Sequence, residues 1–129
     1  MTYIVDTHAI VWLLEDDMRL SRAASDVLDD EDSQLVVPTI VLAEIAFLYA
    51  RQRITIGLPG VFAHITDAAN CAVYPLDEVV VQHLPNKLNI HDAIIVATAL
   101  TLRDELGEDI AIITKDAEIT SSGLVKVIW

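Results

Sequence analysis

Short β-prone runs alternating with stretches of helical spacing constrain this chain more than any other feature. Thr2–Val5 (TYIV), Gln34–Val37 (QLVV), Cys71–Leu76, Ile110–Ile113 (IAII) and Leu124–Trp129 are rich in β-branched and aromatic residues. Helical segments are expected between them. Ala9–Leu14 reads as a short helix. Ser21 is an N-cap for a helix running to about Asp30, with Ala24, Val27 and Leu28 inward. Pro38 and Thr39 open a helix to about Arg51. Gly57, Pro59 and Gly60 punctuate a turn, and Val61–Ala69 follows as helix. Asp77 starts a short helix ended by Pro85, and Asn89 or Ile90 opens a longer one to Glu105. Strand after helix after strand predicts one α/β domain over residues 1–129 with a mainly parallel sheet.

Such a sheet collects ligands outside the carboxyl ends of its strands, so the acids to examine are those at that rim. Of 20 Asp and Glu residues, most belong to solvated runs such as Glu15–Asp17 and Asp29–Asp32. Four stand alone among apolar residues. Asp6 ends the first strand. Glu44 is the only charge in PTIVLAEIAFLYA, where helical spacing sets Ile40, Val41, Phe47 and Leu48 on its face. Asp92 is the only acid of NIHDAIIVATAL, and Asp116 directly follows IAII in TKDAEI. Three have a purely structural alternative: Asp6 and Asp116 can cap a turn, and Asp92 suits the first turn of a helix. Glu44 has none. A helix between parallel strands begins on the ligand-binding rim, so all four acids point to one place. Packed carboxylates raise one another's pKa unless cations join them, and an all-oxygen set suits Mg²⁺ or Mn²⁺ and disfavours structural zinc. Thr7 and Thr114 can position a carboxylate or a metal-held water. His8 and His91 are assigned to the rim or to substrate contact, Thr98 to packing.

The net charge of −12, with 8 Lys and Arg, argues against tight metal-free binding of a polyanion and fits a basic protein partner. Cys71 is the only cysteine, which leaves no internal disulfide; it is read as a small buried hydrophobe. No basic leader precedes the apolar N-terminus, and no segment reaches the ~18 uninterrupted apolar residues of a membrane span. The cytoplasm is the default expectation.

The motifs also resemble those of the PIN-domain ribonucleases, in particular the VapC-like toxins of toxin–antitoxin pairs. IVDTHAIVWLL is similar to that family's first motif and carries Asp6. VVPTIVLAEIAFL carries Glu44, IHDAIIVATAL carries Asp92, and IAIITKDAEI carries Thr114 and Asp116; SSGLVKVIW is similar to the closing strand. The resemblance spans nearly the whole chain. It implies a three-layer sandwich around four or five parallel strands, Mg²⁺- or Mn²⁺-dependent endoribonuclease activity, a homodimer, and neutralisation by a small antitoxin. Many such relatives carry Arg after the third acid; here Ala93 stands there.

On this reading Asp6, Asp92 and Asp116 bind metal directly or through water, Glu44 binds through water or orients the nucleophile, and RNA is the substrate. The partner is a polypeptide with a basic or Arg-bearing segment closing the acidic rim. Ile40 and Phe47 are expected in the core, Tyr49 on the surface. Two alternatives stand beside it. An aspartyl-phosphate hydrolase would use Asp6 as nucleophile, although its usual second acid two residues on is His8 here. A regulatory module of the same fold would bind metal without turnover.

Overall fold

The computed structural model describes residues 1–129. Its elements in order are β1 (Thr2–Val5), α1 (Thr7–Leu14), α2 (Arg22–Asp29), β2 (Gln34–Pro38), α3 (Thr39–Ala50), α4 (Leu58–Asp67), β3 (Cys71–Tyr74), α5 (Glu78–Gln82), α6 (Ile90–Leu106), β4 (Ile110–Ile113), α7 (Ala117–Ser122) and β5 (Lys126–Ile128). All five strands pair in parallel, in the order β3-β2-β1-β4-β5. The chain steps outward from β1 to β3, then returns to lay β4 on the other side of β1. Right-handed crossovers running in opposite directions put their helices on opposite faces, which makes the molecule an α/β three-layer sandwich.

Central position dictates composition. β4 is buried at all four residues and is apolar throughout, whereas Ala72 and Val73 of the edge strand β3 are exposed. Ile4, Val5, Val37, Ile112 and Ile113 join Val11, Val41, Ile45, Ile95 and Val96 from the helices in one core cluster. Cys71 packs at its margin, as a small hydrophobe should.

Capping side chains move several boundaries from where periodicity sets them. α1 starts at Thr7, not Ala9, because Asp6 in extended conformation accepts from the Thr7 N–H. α4 starts at Leu58, not Val61, since Pro59 and Gly60 lie inside its first turn. β3 ends at Tyr74 and β5 covers only Lys126–Ile128. Helix α7 is absent from the pattern of apolar residues; Asp116 nucleates it by accepting from the N–H groups of Glu118 and Ile119. Gly107 and Gly123 end α6 and α7 with φ of 68° and 64°, a conformation that spares only glycine the Cβ clash.

One expectation for the core fails. Phe47 is 53% exposed, and the inward face of α3 is Val41, Leu42 and Ile45. Because α3 is apolar almost all round, its periodicity cannot tell which side faces in. Ile40 is half-buried against the core, Tyr49 is exposed as expected, and the Arg51 guanidinium covers the Phe47 ring at 3.4 Å.

Truncating the buried interior strand β4 should therefore cost far more than neutralising the acidic run before β2. Ile112→Ala is expected to lose ~2–5 kcal/mol. Asp30→Asn and Glu31→Gln, both exposed, should stay within ~0.5 kcal/mol. Urea unfolding of the three variants measures both.

Candidate metal centre

The strand order reverses between β1 and β4, and in a parallel sheet that reversal opens a crevice at the strands' carboxyl ends. Register puts the ends side by side, with Val5 opposite Ile113. Asp6 leaves β1 at that level and Thr114 leaves β4. The Thr114 hydroxyl donates to Asp6 Oδ2 at 2.6 Å and accepts from the Asp116 N–H at 3.0 Å. Asp6 Oδ1 accepts from the Thr7 N–H at 2.7 Å, and the Thr7 hydroxyl donates to Glu44 Oε2 at 3.2 Å. Both threonines are 1% exposed. They are the struts that set three acids from three elements against one another.

Asp92 enters from the first turn of α6. It is 5% exposed, and its Oδ2 accepts from Asn89 Nδ2 at 2.7 Å. Asn89 also caps the helix by accepting from the Asp92 N–H at 2.9 Å. His91 pairs with Glu44 through Nε2. It was assigned to rim or substrate contact because neighbours on a helix do not share a face; the pairing runs instead across to α3. Asn89 is the site residue that sequence reasoning does not assign to the site, and its N-cap position is the available signal; for His91 the pattern indicates the rim but not its partner. Thr98 is buried and bonds back to the Ile94 carbonyl, which makes it a packing residue. Ala93, 3% exposed, also packs inward.

Electrostatics separate the acids. Burial pushes the Asp6 carboxyl above the usual range; bonds from Thr114 and Thr7 and attraction to His91 pull the other way, and Glu44 adds repulsion. Asp92 is likewise raised, by burial and then by Asp116, against the Asn89 bond, with Asp6 adding to the rise. Burial also disfavours the charge on Glu44, but the His91 bond and charge outweigh it and bring Glu44 below its ordinary value; His91 is raised in turn. No Lys or Arg forms an ion pair with any of the four acids.

The acids line two hollows that meet at Asp116. One, about 240 Å³, is bounded by Asp6, His8, Trp12, Lys115 and Asp116. The other, about 400 Å³, includes Glu44, Asn89, His91, Asp92 and Asp116. A larger hollow of about 650 Å³ touches the neighbouring Leu88 and Glu118 but none of the four acids. No three of these side chains are gathered closely enough to enclose an ion as they stand. The donor chemistry nevertheless fits a hard cation: oxygen ligands only, held in place by hydrogen bonds, with Asp116 and Asp6 repelling Asp92 and His91 the only charge to offset it.

A PIN-domain family model matches residues 3–121. The chain belongs to the PIN-domain family. Three solved structures share the fold over nearly its whole length. VapBC2 from Rickettsia felis, bound to a DNA fragment from its promoter, superposes with a TM-score of 0.63 at 12% identity, covering 98% of this chain and 97% of that one. VapBC-1 from nontypeable Haemophilus influenzae gives 0.64 at 18% identity, covering 98% and 96%. FitAB bound to an IR36 DNA fragment gives 0.60 at 18%, covering 97% and 92%. A sequence search of curated proteins finds no significant match.

Two stability outcomes follow from the geometry. Because the folded values of Asp6 and Asp92 are raised, their contribution is fully favourable below the unfolded carboxylate range and is lost as pH rises through the folded values. In EDTA at neutral pH, Asp92→Asn should melt higher than wild type, and the difference should shrink on acidification; a lower melting temperature would contradict the repulsion account. Thr114→Val is nearly isosteric but strands Asp6 Oδ2 and the Asp116 N–H, at roughly 1–3 kcal/mol, read from the same melts.

Proposed function

We propose that this PIN domain is a Mg²⁺- or Mn²⁺-dependent endoribonuclease, the toxin of a toxin–antitoxin pair, acting in the cytoplasm as a homodimer. The observation that carries the reading is the absence of any Lys or Arg partner for acids that burial has made costly to ionise. A divalent cation supplies the missing charge. Asp6, Asp92 and Asp116 would hold it, and Glu44 would bind through water or orient the attacking water. When bound, such an ion lowers the pKa of a water ligand and neutralises charge on a phosphodiester.

The chain's own residues do the positioning. Thr114 and Thr7 fix the Asp6 carboxylate through both its oxygens, so it meets ligands in one orientation. Asn89 does the same for Asp92 through one oxygen and leaves Oδ1 free. Asp116 spends Oδ1 on two backbone donors of α7 and keeps Oδ2 for the cleft. His91 stands on Glu44, which lets that residue stay anionic while half-buried and places a proton donor beside it.

The double engagement of Asp6 favours a ligand role over a nucleophilic one, which weakens the aspartyl-phosphate alternative. One observation favours the regulatory-module alternative: the acids do not stand as a closed cage. The partner expectation rests on the resemblance to VapC-like toxins, on the likeness in fold to VapBC structures, and on charge. An Arg-bearing segment would pair with the same carboxylates as the metal. The exposed side of α3, with Phe47 and Tyr49, offers an amphipathic helix of that partner an apolar seat.

Cleavage of single-stranded RNA should require Mn²⁺ or Mg²⁺, stop with EDTA, and fall at least ~100-fold in Asp92→Asn. Metal binding without cleavage would turn the reading toward the regulatory module. Wild-type chain expressed alone should be poorly tolerated, and Asp6→Asn tolerated. Co-expression with the neighbouring small gene, followed by size exclusion and mass measurement, should yield a complex. Harmless high-yield expression with no such complex would remove the toxin reading and leave the nuclease one.

A further inference from the structure

Lys and Arg are scarce in this chain, yet two of the eight converge on one ring beside the acids. The Arg19 guanidinium lies 4.7 Å from the Trp12 ring centroid, and the Lys115 ammonium lies 5.7 Å from it. Exposed His8 packs its ring 5.3 Å from the same indole. Trp12 itself is only 7% exposed and rests against Trp129 at 5.8 Å. The indole is therefore a fixed support under mobile charges rather than a free stacking surface.

The two cations differ in what else they touch. Arg19 is tied to Asp17 through two nitrogens, at 3.0 and 2.7 Å. Lys115 has no ion pair at all, although it lines a cleft with Asp6 and Asp116. Cation–π attraction holds it toward Trp12 and away from the acids. Two cations over one ring repel each other, and only Arg19 is compensated. The position beside Lys115 thus attracts an anion, and it opens into the hollow shared with Asp116.

We infer that Lys115 is a substrate-positioning residue: it contacts a backbone phosphate adjacent to the scissile one, as a single strand of RNA crosses the rim past Trp12 and His8. The inference deepens the ribonuclease reading and rests on it. It assigns this chain, whose position 93 is a buried alanine, a phosphate contact from another element. It also explains how a protein of charge −12 admits a polyanion. Attraction is local, confined to one wall, and the opposite wall carries Glu44 and Asp92.

Of the two tryptophans of the chain, Trp12 lines this cleft and Trp129 packs against Trp12, so intrinsic emission reports on the cleft. Trp129→Phe isolates Trp12. That variant is titrated at low ionic strength in EDTA with a mixed-sequence single-stranded oligoribonucleotide, and affinity is followed against salt. The Trp12 emission should change on binding. Adding Lys115→Gln should reduce the slope of log affinity against log salt by ~0.7, the value of one single-strand phosphate contact; Lys115→Arg should retain it. Lys126→Gln removes the same charge from the exposed start of β5, beside Ala111 and outside the lining of both acidic hollows, and should leave the slope unaltered. An unchanged slope in Lys115→Gln, equal losses in Lys115→Gln and Lys126→Gln, or silent Trp12 emission would each overturn the inference. A parallel Mn²⁺ cleavage assay keeps it apart from the reading beneath it. Cleavage with an unchanged slope removes only Lys115, and a Lys115-dependent slope without cleavage keeps the contact while removing the nuclease.

Discussion

The rim of this sheet is governed by carboxylates that the fold has partly removed from water without giving them a Lys or Arg partner. Desolvation disfavours their ionised forms, and repulsion among Asp6, Asp92 and Asp116 adds to it. A fold tolerates such a cost where its surroundings over-determine the positions. Here they do. Asp6 is fixed because β1 and β4 pair in register, Asp116 because Thr114 and α7 hold its backbone and side chain, and Asp92 because Asn89 both caps α6 and binds the carboxylate. The strand order that reverses at β1 and β4 creates the crevice, and the threonine struts keep it from relaxing.

Much of this was legible before any coordinates. The five strands, the longer helices and the convergence of four isolated acids follow from periodicity and from the rule that parallel sheets gather ligands at their carboxyl ends. Thr7 and Thr114 could be proposed as supports because they adjoin Asp6 and Asp116 in sequence. What escaped has a common cause. Phe47 was placed inward because α3 has no polar face to orient it. Helix α7 was missed because it begins from a cap and not from an apolar stripe. His91 reads from the sequence as a rim or substrate contact, but helical geometry says nothing about partners on another helix, and its partner, Glu44, sits 47 residues earlier on α3. Local pattern specifies elements; contacts between elements need the topology.

The charge of the chain also has a structural explanation beyond its sum. Arg19 and Arg103 are spent on adjacent acids, Asp17 and Asp104, and Arg51 on an aromatic ring. Exposed pairs of this kind contribute little to stability, so they chiefly hold positive charge away from the acidic rim. His91, which is raised by Glu44 and by two further acids, is the base that pairs directly with one of the four acids. The site thus retains a net negative field that a doubly charged ion can satisfy and that a lysine, a single point charge on a flexible stem, would satisfy only in part.

Helix capping and metal binding are usually treated as competing explanations for an aspartate at the end of a strand. In this molecule the capping geometry is compatible with the proposed metal role. Asp6 and Asp116 are both N-caps, and each cap bond uses Oδ1. A carboxylate offers about four lone-pair sites, so a cap leaves the second oxygen available: Asp116 Oδ2 takes no protein hydrogen bond, and Asp6 Oδ2 accepts one, from the Thr114 hydroxyl, with a lone pair to spare. The cap also removes the side chain's rotational freedom during folding, before any ligand arrives, and loss of that freedom is among the costs a ligand otherwise meets on binding. Replacing either residue with serine would keep a capping oxygen and delete the second one. Capping and the proposed metal role therefore draw on different oxygens of the same residue, and a fold that builds its helix starts from aspartates at this rim turns acidic oxygens toward one crevice as a consequence of how those helices begin.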